Sequence, residues 1–489
     1  MKTIYKLIYG ILVLGIFSCT KTIDVSPTSV ITTSSFWKTE DDAQGALNGM
    51  YVDLRSTAEA IFVTGDERSE IYQGGVYGGG TYTLYNNAMT ADNPGHPDWY
   101  GYYKAINSAN LILKYVPGIT FKSDDQKNSI LAQAYAMRAF IYFTMSKTWG
   151  DLVLRTNPTE SASADVTQKA RSPKEEVFTL IKADIDKAIQ LFPDNNFSEQ
   201  RSVWSKAATY ALKADVYLWT AKTMNGGQPD FTTALDACNA VQTADVTLLP
   251  NYPDIFKYSN KGNKEVIMAI RYNELEGGNY FWHMWIIGSA VPSNISAEAK
   301  SIILPVGNGQ GLMVMTALVR NQFTKDDARR RGSFYEIYTF DQNGDSTFYT
   351  SVGLKGSGIV TGGNRVFSSD VILYRYADVL LMKAEAKNAL GQDPSDEINQ
   401  VRQRAYGDAF SNHVFVNGTQ AQNDDAILKE RLLELAYEGK RWWDLVRFGK
   451  AFDLVPTLQG RADDKYLLLY PIANSVLSLE PLVTQNPGY

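Results

Sequence analysis

The stretch Leu428-Lys-Glu-Arg-Leu-Leu-Glu-Leu-Ala-Tyr-Glu-Gly-Lys-Arg-Trp-Trp-Asp-Leu-Val-Arg-Phe-Gly449 decides how this chain is read. Leu428, Leu432, Leu435 and Ala436 recur at helical spacing on one face, which predicts an amphipathic helix ending at Gly439. Glu430, Glu434 and Glu438 stand at i, i+4 and i+8, so three like charges line one stripe. Such a stripe repels itself unless cations answer it. Arg431, Lys440, Arg441 and Arg447 are near enough in sequence to do so, and Arg402 and Asp444 complete the expected ion-pair network. Adjacent Trp442 and Trp443 need burial, so the segment reads as helix, tight turn and second short helix. A competing reading pairs Glu434 with Glu438 or Asp444 as the acid and base of a glycoside hydrolase. Carboxylates on one helix beside several arginines more often form structural ion pairs, and that reading is preferred.

The ends of the chain bound its setting. A basic start with Lys2 and Lys6, the apolar run Leu7–Phe17 and then Ser18 describe a signal peptide over 1–18. Its apolar core is too short for a stable membrane span. Ile16-Phe17-Ser18-Cys19 fits a lipobox, with Phe17 bulkier than usual, so Cys19 is expected to be acylated as the mature N-terminus. Several acyl chains at about 0.8 kcal/mol per buried methylene would hold the protein firmly to a membrane. Residues 19–38 then read as a lipidated tether and 39–489 as the folded domain.

The only other cysteine, Cys238, is left without an intrachain partner and sits on an expected helix, where it reads as a small buried hydrophobe. Stability must then come from a core, for which 489 residues at 44% apolar composition are ample. Net charge is −6, and removing residues 1–18 takes away Lys2 and Lys6, giving −8. No basic stripe appears, so nucleic acid is not an expected partner.

Helical periodicity runs through most of the chain. Thr39 and Asp42 lead a first helix whose stripe is Ala43, Ala46, Leu47, Met50, Tyr51 and Leu54. Others are expected near 98–115, 123–148, 173–191, 202–222, 230–242, 370–390, 394–406 and 424–438. The pattern predicts a mainly α fold, a tetratricopeptide-like array of helical hairpins, without a strict repeat. Residues 62–97 and 243–369 read instead as long loop insertions. Within the second, Phe334–Phe340 and Thr347–Ser351 predict two strands turned at Asn343-Gly344.

Six motifs in order carry a family resemblance. The opening stretch strongly resembles the signature of the SusD/RagB family, surface nutrient-binding lipoproteins. Ile31–Trp37 with Asp42–Tyr51 resembles the family's first helix, and Trp99-x3-Tyr103-x2-Ile106-x2-Ala109-Asn110 its second. Arg138-Ala139-x2-Tyr142-Phe143-x5-Trp149-Gly150-Asp151 and Tyr374-Arg375-Tyr376-Ala377-Asp378-x6-Glu385-Ala386 are similar to two further patterns. Gln485-Asn486-Pro487-Gly488-Tyr489 resembles the family's ending. Two positions depart from the pattern, Trp149 for a tyrosine and Ala473 for a proline. The resemblance implies an outward-facing outer-membrane lipoprotein without catalytic activity or cofactor. It would capture oligosaccharide, or in some members peptide, and pass it to a SusC-like TonB-dependent transporter.

The residues themselves offer little for catalysis. His96, His283 and His413 are dispersed, with no HExxH and no Gly-x-Ser-x-Gly elbow. Gly307–Gly311 reads as a turn, and Asp341–Asp345 falls short of a calcium loop, so no metal is expected. Binding has more support. Segment 66–85 mixes glycines with Tyr72, Tyr77, Tyr82 and Tyr85, and Asn279–Trp285 is a run of rings containing Tyr280 and Trp282. Rings suit the apolar faces of sugars, and Asp66, Arg68, Gln73 and Asn279 are candidate hydrogen-bonding partners beside them. Trp99 is read as core.

Overall fold

In the computed structural model, the described residues are 36–77, 83–95 and 99–489. The expected signal peptide, the expected acylation site Cys19, Tyr82 and His96 lie outside them. Residues 1–38 and 39–489 separate into two units, and of the first only Phe36–Lys38 are described.

Thr39 opens the second unit. Its hydroxyl accepts the Asp42 amide while the Asp42 carboxylate accepts the Thr39 amide, a capping box that starts helix α1 at Glu40–Ser56. There follow α2 Ala58–Asp66, α3 Tyr100–Tyr115, α4 Asp124–Trp149, α5 Lys174–Leu191, α6 Lys206–Thr223 and α7 Gly227–Val241. Towards the C-terminus come α8 Tyr376–Ala389, α9 Ser395–Tyr406, α10 Gln420–Leu435 and α11 Arg441–Arg447.

The helices pack in succession, α1 on α3, α3 on α4, and so through α5, α6 and α7 to α8, which also packs on α10. This is the mainly α, stacked-hairpin architecture that the periodicity predicts. Helix α4 lies at its centre, with Ile130, Ala134, Met137, Ile141 and Met145 all buried. On α6, buried Ala207, Ala208, Ala211 and Ala214 leave room for close approach of neighbouring helices. Cys238 on α7 is buried and unpaired, and burial pushes its thiol far up.

The strands are short. Tyr72–Gly74 (β1), Val266–Ile270 (β2), Met313–Met315 (β3), Phe334–Phe340 (β4), Ser346–Gly353 (β5), Ile359–Thr361 (β6), Asn364–Val366 (β7) and Val371–Arg375 (β8) form antiparallel two-stranded ribbons. The pairs are β1–β3, β2–β8, β4–β5 and β6–β7. The β4–β5 hairpin is the one expected around Asn343-Gly344. In its turn the Asp341 carboxylate accepts the amides of Asn343 and Asp345 at 2.8 and 2.9 Å.

Three expectations need correction. The helix expected over 370–390 begins only at Tyr376, because Val371–Arg375 is buried on both faces and pairs with β2 as a strand. Helix α2 runs through Asp66, into the segment read from sequence as a loop from residue 62. Helix α10 ends at Leu435 rather than near Gly439, with Ala436 extended and Tyr437 and Gly439 at positive φ of 71° and 70°. That early end lets the turn reach back to α2. A Cβ on Gly65 would stand 1.9 Å from the Gly439 carbonyl oxygen.

Gly65→Ala must push α2 and this turn apart. The expected loss is about 1–3 kcal/mol, read as a lower urea midpoint with unchanged slope. An unchanged midpoint would mean that the two segments do not bear on each other.

Candidate functional site

The glutamate stripe is met by cations, but mostly not by its sequence neighbours. The Glu434 carboxylate takes Arg375 at 2.6 Å, Arg404, and Arg329 at 3.4 Å. Glu430 takes Arg329 at 2.5 Å and Arg402 at 2.7 Å. Glu438, in the turn, takes both Arg375 at 2.8 Å and Lys355 at 2.6 Å. Glu265 and Asp327 join them, so five carboxylates face five cations. The backbone of α10 is served by the same groups. The Glu434 carbonyl accepts from Arg375 at 2.7 Å, Lys355 at 2.9 Å and the Tyr252 hydroxyl at 2.8 Å. These donors satisfy one of the carbonyls that a helix end leaves open.

Arg431 follows Glu430 by one residue and so points about 100° away around the helix. It contacts Asp378 and Asp444, each at 2.8 Å. Arg447 pairs with both Glu385 and Asp444 at 3.0 Å, Lys440 with Asp378 at 2.7 Å, and Arg441 with Glu70 at 2.5 Å. The predicted set therefore divides, with Arg402, Glu430, Glu434 and Glu438 in one cluster and Arg431, Asp444 and Arg447 in another. Arg441 stands apart from both.

The glycosidase reading fares poorly on this geometry. Burial raises the Glu434 carboxyl, but Arg404, Arg375 and Arg329 outweigh it and hold the group far below the usual carboxylate range. Glu438 is likewise buried yet held low by Arg375 and Lys355. Burial lowers Lys355 itself to about 8, against the pull of Glu438. Glu434, fully buried and ionised at neutral pH, can neither reach a glycosidic oxygen nor hold a proton for it there.

Six of the ten residues proposed to face a ligand have buried side chains. Asp66 accepts the Lys440 and Arg441 amides at 2.9 Å and so caps α11, and Tyr72 donates to its other oxygen at 3.3 Å. Arg68 bonds Asn87 at 2.9 Å and the Leu469 carbonyl at 3.1 Å, with its guanidinium 4.1 Å above the Trp442 ring. Asn279 donates to the Ser369 carbonyl at 2.8 Å, Tyr280 stacks on Phe62 at 4.2 Å, and Trp285 donates to the Ile303 carbonyl at 3.2 Å. These groups fasten the loops to the helices. Trp99 is core, as expected.

The structure brings the exposed members together. Gln73 and Tyr77 are exposed and Trp282 is half-buried. Their segments are laced by backbone hydrogen bonds through a third. Gly75 donates to Leu312 at 2.9 Å, Tyr77 to Gly311 at 3.1 Å, and Gln310 to Trp282 at 3.0 Å. Gly75 thus serves another strand rather than a ligand, since a Cβ there would meet the Gly311 oxygen at 2.3 Å. The Tyr77 hydroxyl lies 3.5 Å from that of Ser289, and Tyr349 donates to the Ala290 carbonyl at 2.8 Å. The result is a platform of rings and hydroxyls. Sequence reasoning missed Ser289 and Tyr349. The second sits on an expected strand, and nothing local shows which side of the hairpin meets the loops.

Comparison with known proteins agrees with this architecture. The model of the SusD family matches residues 360–489, and a model described as starch-binding associating with outer membrane matches 33–218. SusD-like protein P38 of Formosa agariphila is 28% identical over 96% of both chains. Among solved structures, B. fragilis NanU is 33% identical, with a TM-score of 0.85 over 95% of this chain and 100% of its own. A SusD superfamily protein of Bacteroides vulgatus is 31% identical, with a TM-score of 0.81 over 93% of this chain and 100% of its own.

Glu434→Gln leaves three arginines short of a buried partner and should cost about 3–5 kcal/mol at neutral pH. The wild-type carboxyl is depressed in the folded state. Its contribution is therefore present above the unfolded value of ~4.3 and fades as pH falls through the folded one. Urea denaturation at pH 7 and pH 3 should show the gap between wild type and variant shrinking with acid. A gap independent of pH would contradict the ion-pair account.

Proposed function

Because the chain belongs to the SusD/RagB family, we propose that it is an outer-membrane lipoprotein that captures oligosaccharide at the cell surface. On this reading Cys19 carries the lipid, and the folded unit faces outward. It passes its ligand to a SusC-like TonB-dependent transporter and catalyses nothing.

The observation that carries the reading is the platform. Gln73, Tyr77, Trp282, Ser289 and Tyr349 present rings beside hydroxyl and amide groups on laced segments. A sugar has apolar C–H faces that lie on such rings and a hydroxyl rim that meets such polar groups. A ligand lying on a few exposed rings makes few contacts, so affinity is on the order of micromolar to millimolar, weak enough to release the ligand onward. A match to a starch-binding, outer-membrane-associating family model supports carbohydrate as the ligand class.

Native affinity electrophoresis of residues 20–489 through a panel of soluble polysaccharides tests this, with reducing-sugar release assayed in parallel. Retardation by at least one glycan without sugar release is expected. Tyr77→Ala and Trp282→Ala should each weaken it by up to about tenfold. Binding of oligopeptides with no glycan retarded would replace sugar by peptide. Sugar release abolished by Glu434→Gln in a folded protein would restore the hydrolase.

A further inference from the structure

We propose that the cavity between helix α3 and the C-terminal segment binds a neutral aromatic small molecule through one hydrogen-bonding edge. The cavity holds about 440 Å³, the size of a small-molecule site. It shares no residue with the platform, so the proposal stands or falls apart from the glycan reading.

One wall is built of rings. Trp99 and Tyr103 lie 5.7 Å apart at 54°, and Trp99 is backed by Trp149 at 6.1 Å, edge to face. The Tyr103 hydroxyl donates to the Val153 carbonyl at 2.8 Å, which fixes that ring. A wall held this way is organised before any ligand arrives. At the mouth, Tyr100 is 73% exposed and Leu479 79% exposed. The fold thus leaves two large, partly or wholly apolar side chains exposed on two elements that line one concavity, which is how an unfilled apolar site presents itself.

The polar groups around it select the ligand. Arg155 is held by the Val166 and Thr167 carbonyls and lies 3.2 Å from Glu480. Lys104 lies 3.0 Å from Asp53. Each cation in the lining is thereby matched by a carboxylate, and an anionic ligand would have to break a pair to find a partner. Asn107 is different. Its side-chain oxygen accepts the Thr159 amide at 2.7 Å, a bond that does not engage its amide nitrogen. That N–H donor on the wall suits a phenol, ether or carbonyl oxygen at the edge of a flat ring. A polyol would instead strand most of its hydroxyls against the rings and aliphatic groups.

The probe is 2-naphthol, titrated calorimetrically into residues 20–489, with naphthalene-2-sulfonate as its anionic counterpart. Saturable one-to-one binding in the micromolar to millimolar range is expected, with the sulfonate weaker. Tyr100→Ala and Leu479→Ser, both at exposed positions, should each weaken naphthol binding about fivefold or more. Tyr77→Ala on the platform should leave it unchanged. Absence of saturation, equal binding by wild type and both cavity variants, or a sulfonate that binds as tightly as naphthol would overturn the proposal.

Discussion

Arg375 is the side chain on which the structure turns. It ends strand β8 and is wholly buried. Its guanidinium reaches Glu265, Glu434 and Glu438 while also donating to the Glu434 carbonyl. One cation thus ties the β2–β8 ribbon, the end of helix α10 and the turn that follows it. The surrounding charges enforce the same meeting from other directions. Arg329 arrives from the segment before β4, Arg402 and Arg404 from α9, and Lys355 from just after β5. Such a cluster is costly to desolvate, and apolar groups of the same shape could match it in net stability. Its distinctive effect is geometric, because a buried charge tolerates no position other than beside its partners.

That constraint passes outward to the loops. Ending α10 at Leu435 brings the Gly439 carbonyl against Gly65, and Asp66 then caps α11 through the Lys440 and Arg441 amides. Arg68 lies over Trp442 and bonds the Leu469 carbonyl, which fastens the C-terminal segment to the same place. Tyr280 stacks on Phe62 of α2, so the segment bearing Trp282 starts from that anchored helix. A platform built from loops and the short strands β1 and β5 is held in shape because the residues beneath it are committed to the core.

Much of this was legible in the sequence, and the limits are physical. Helices α1 and α4 announce themselves through caps and apolar spacing and α5 through apolar spacing alone, all of them local signals. Val371–Arg375 misled because an apolar run beside a helix carries no mark of its partner strand, about a hundred residues earlier. The stripe of Glu430, Glu434 and Glu438 correctly demanded cations. Only distance in the folded chain decides which ones answer, and Arg329, Lys355 and Arg375 are remote in sequence. The loop residues divided for a similar reason. Asp66, Arg68 and Asn279 have the chemistry of a sugar site, but the same chemistry caps helices and ties loops. Gln73 and Tyr77 differ from them only in what lies next to them.

The buried charges join β2, β8, the end of α10 and α11 into one cooperative unit. Segment-resolved hydrogen exchange under native conditions tests it directly. Peptides covering 265–270, 371–378 and 428–447 should exchange together, with the free energy and denaturant dependence of global unfolding. Exchange of the 436–447 turn and helix through a separate, cheaper opening would show that the cluster does not bind these segments to one another, and the account would fail.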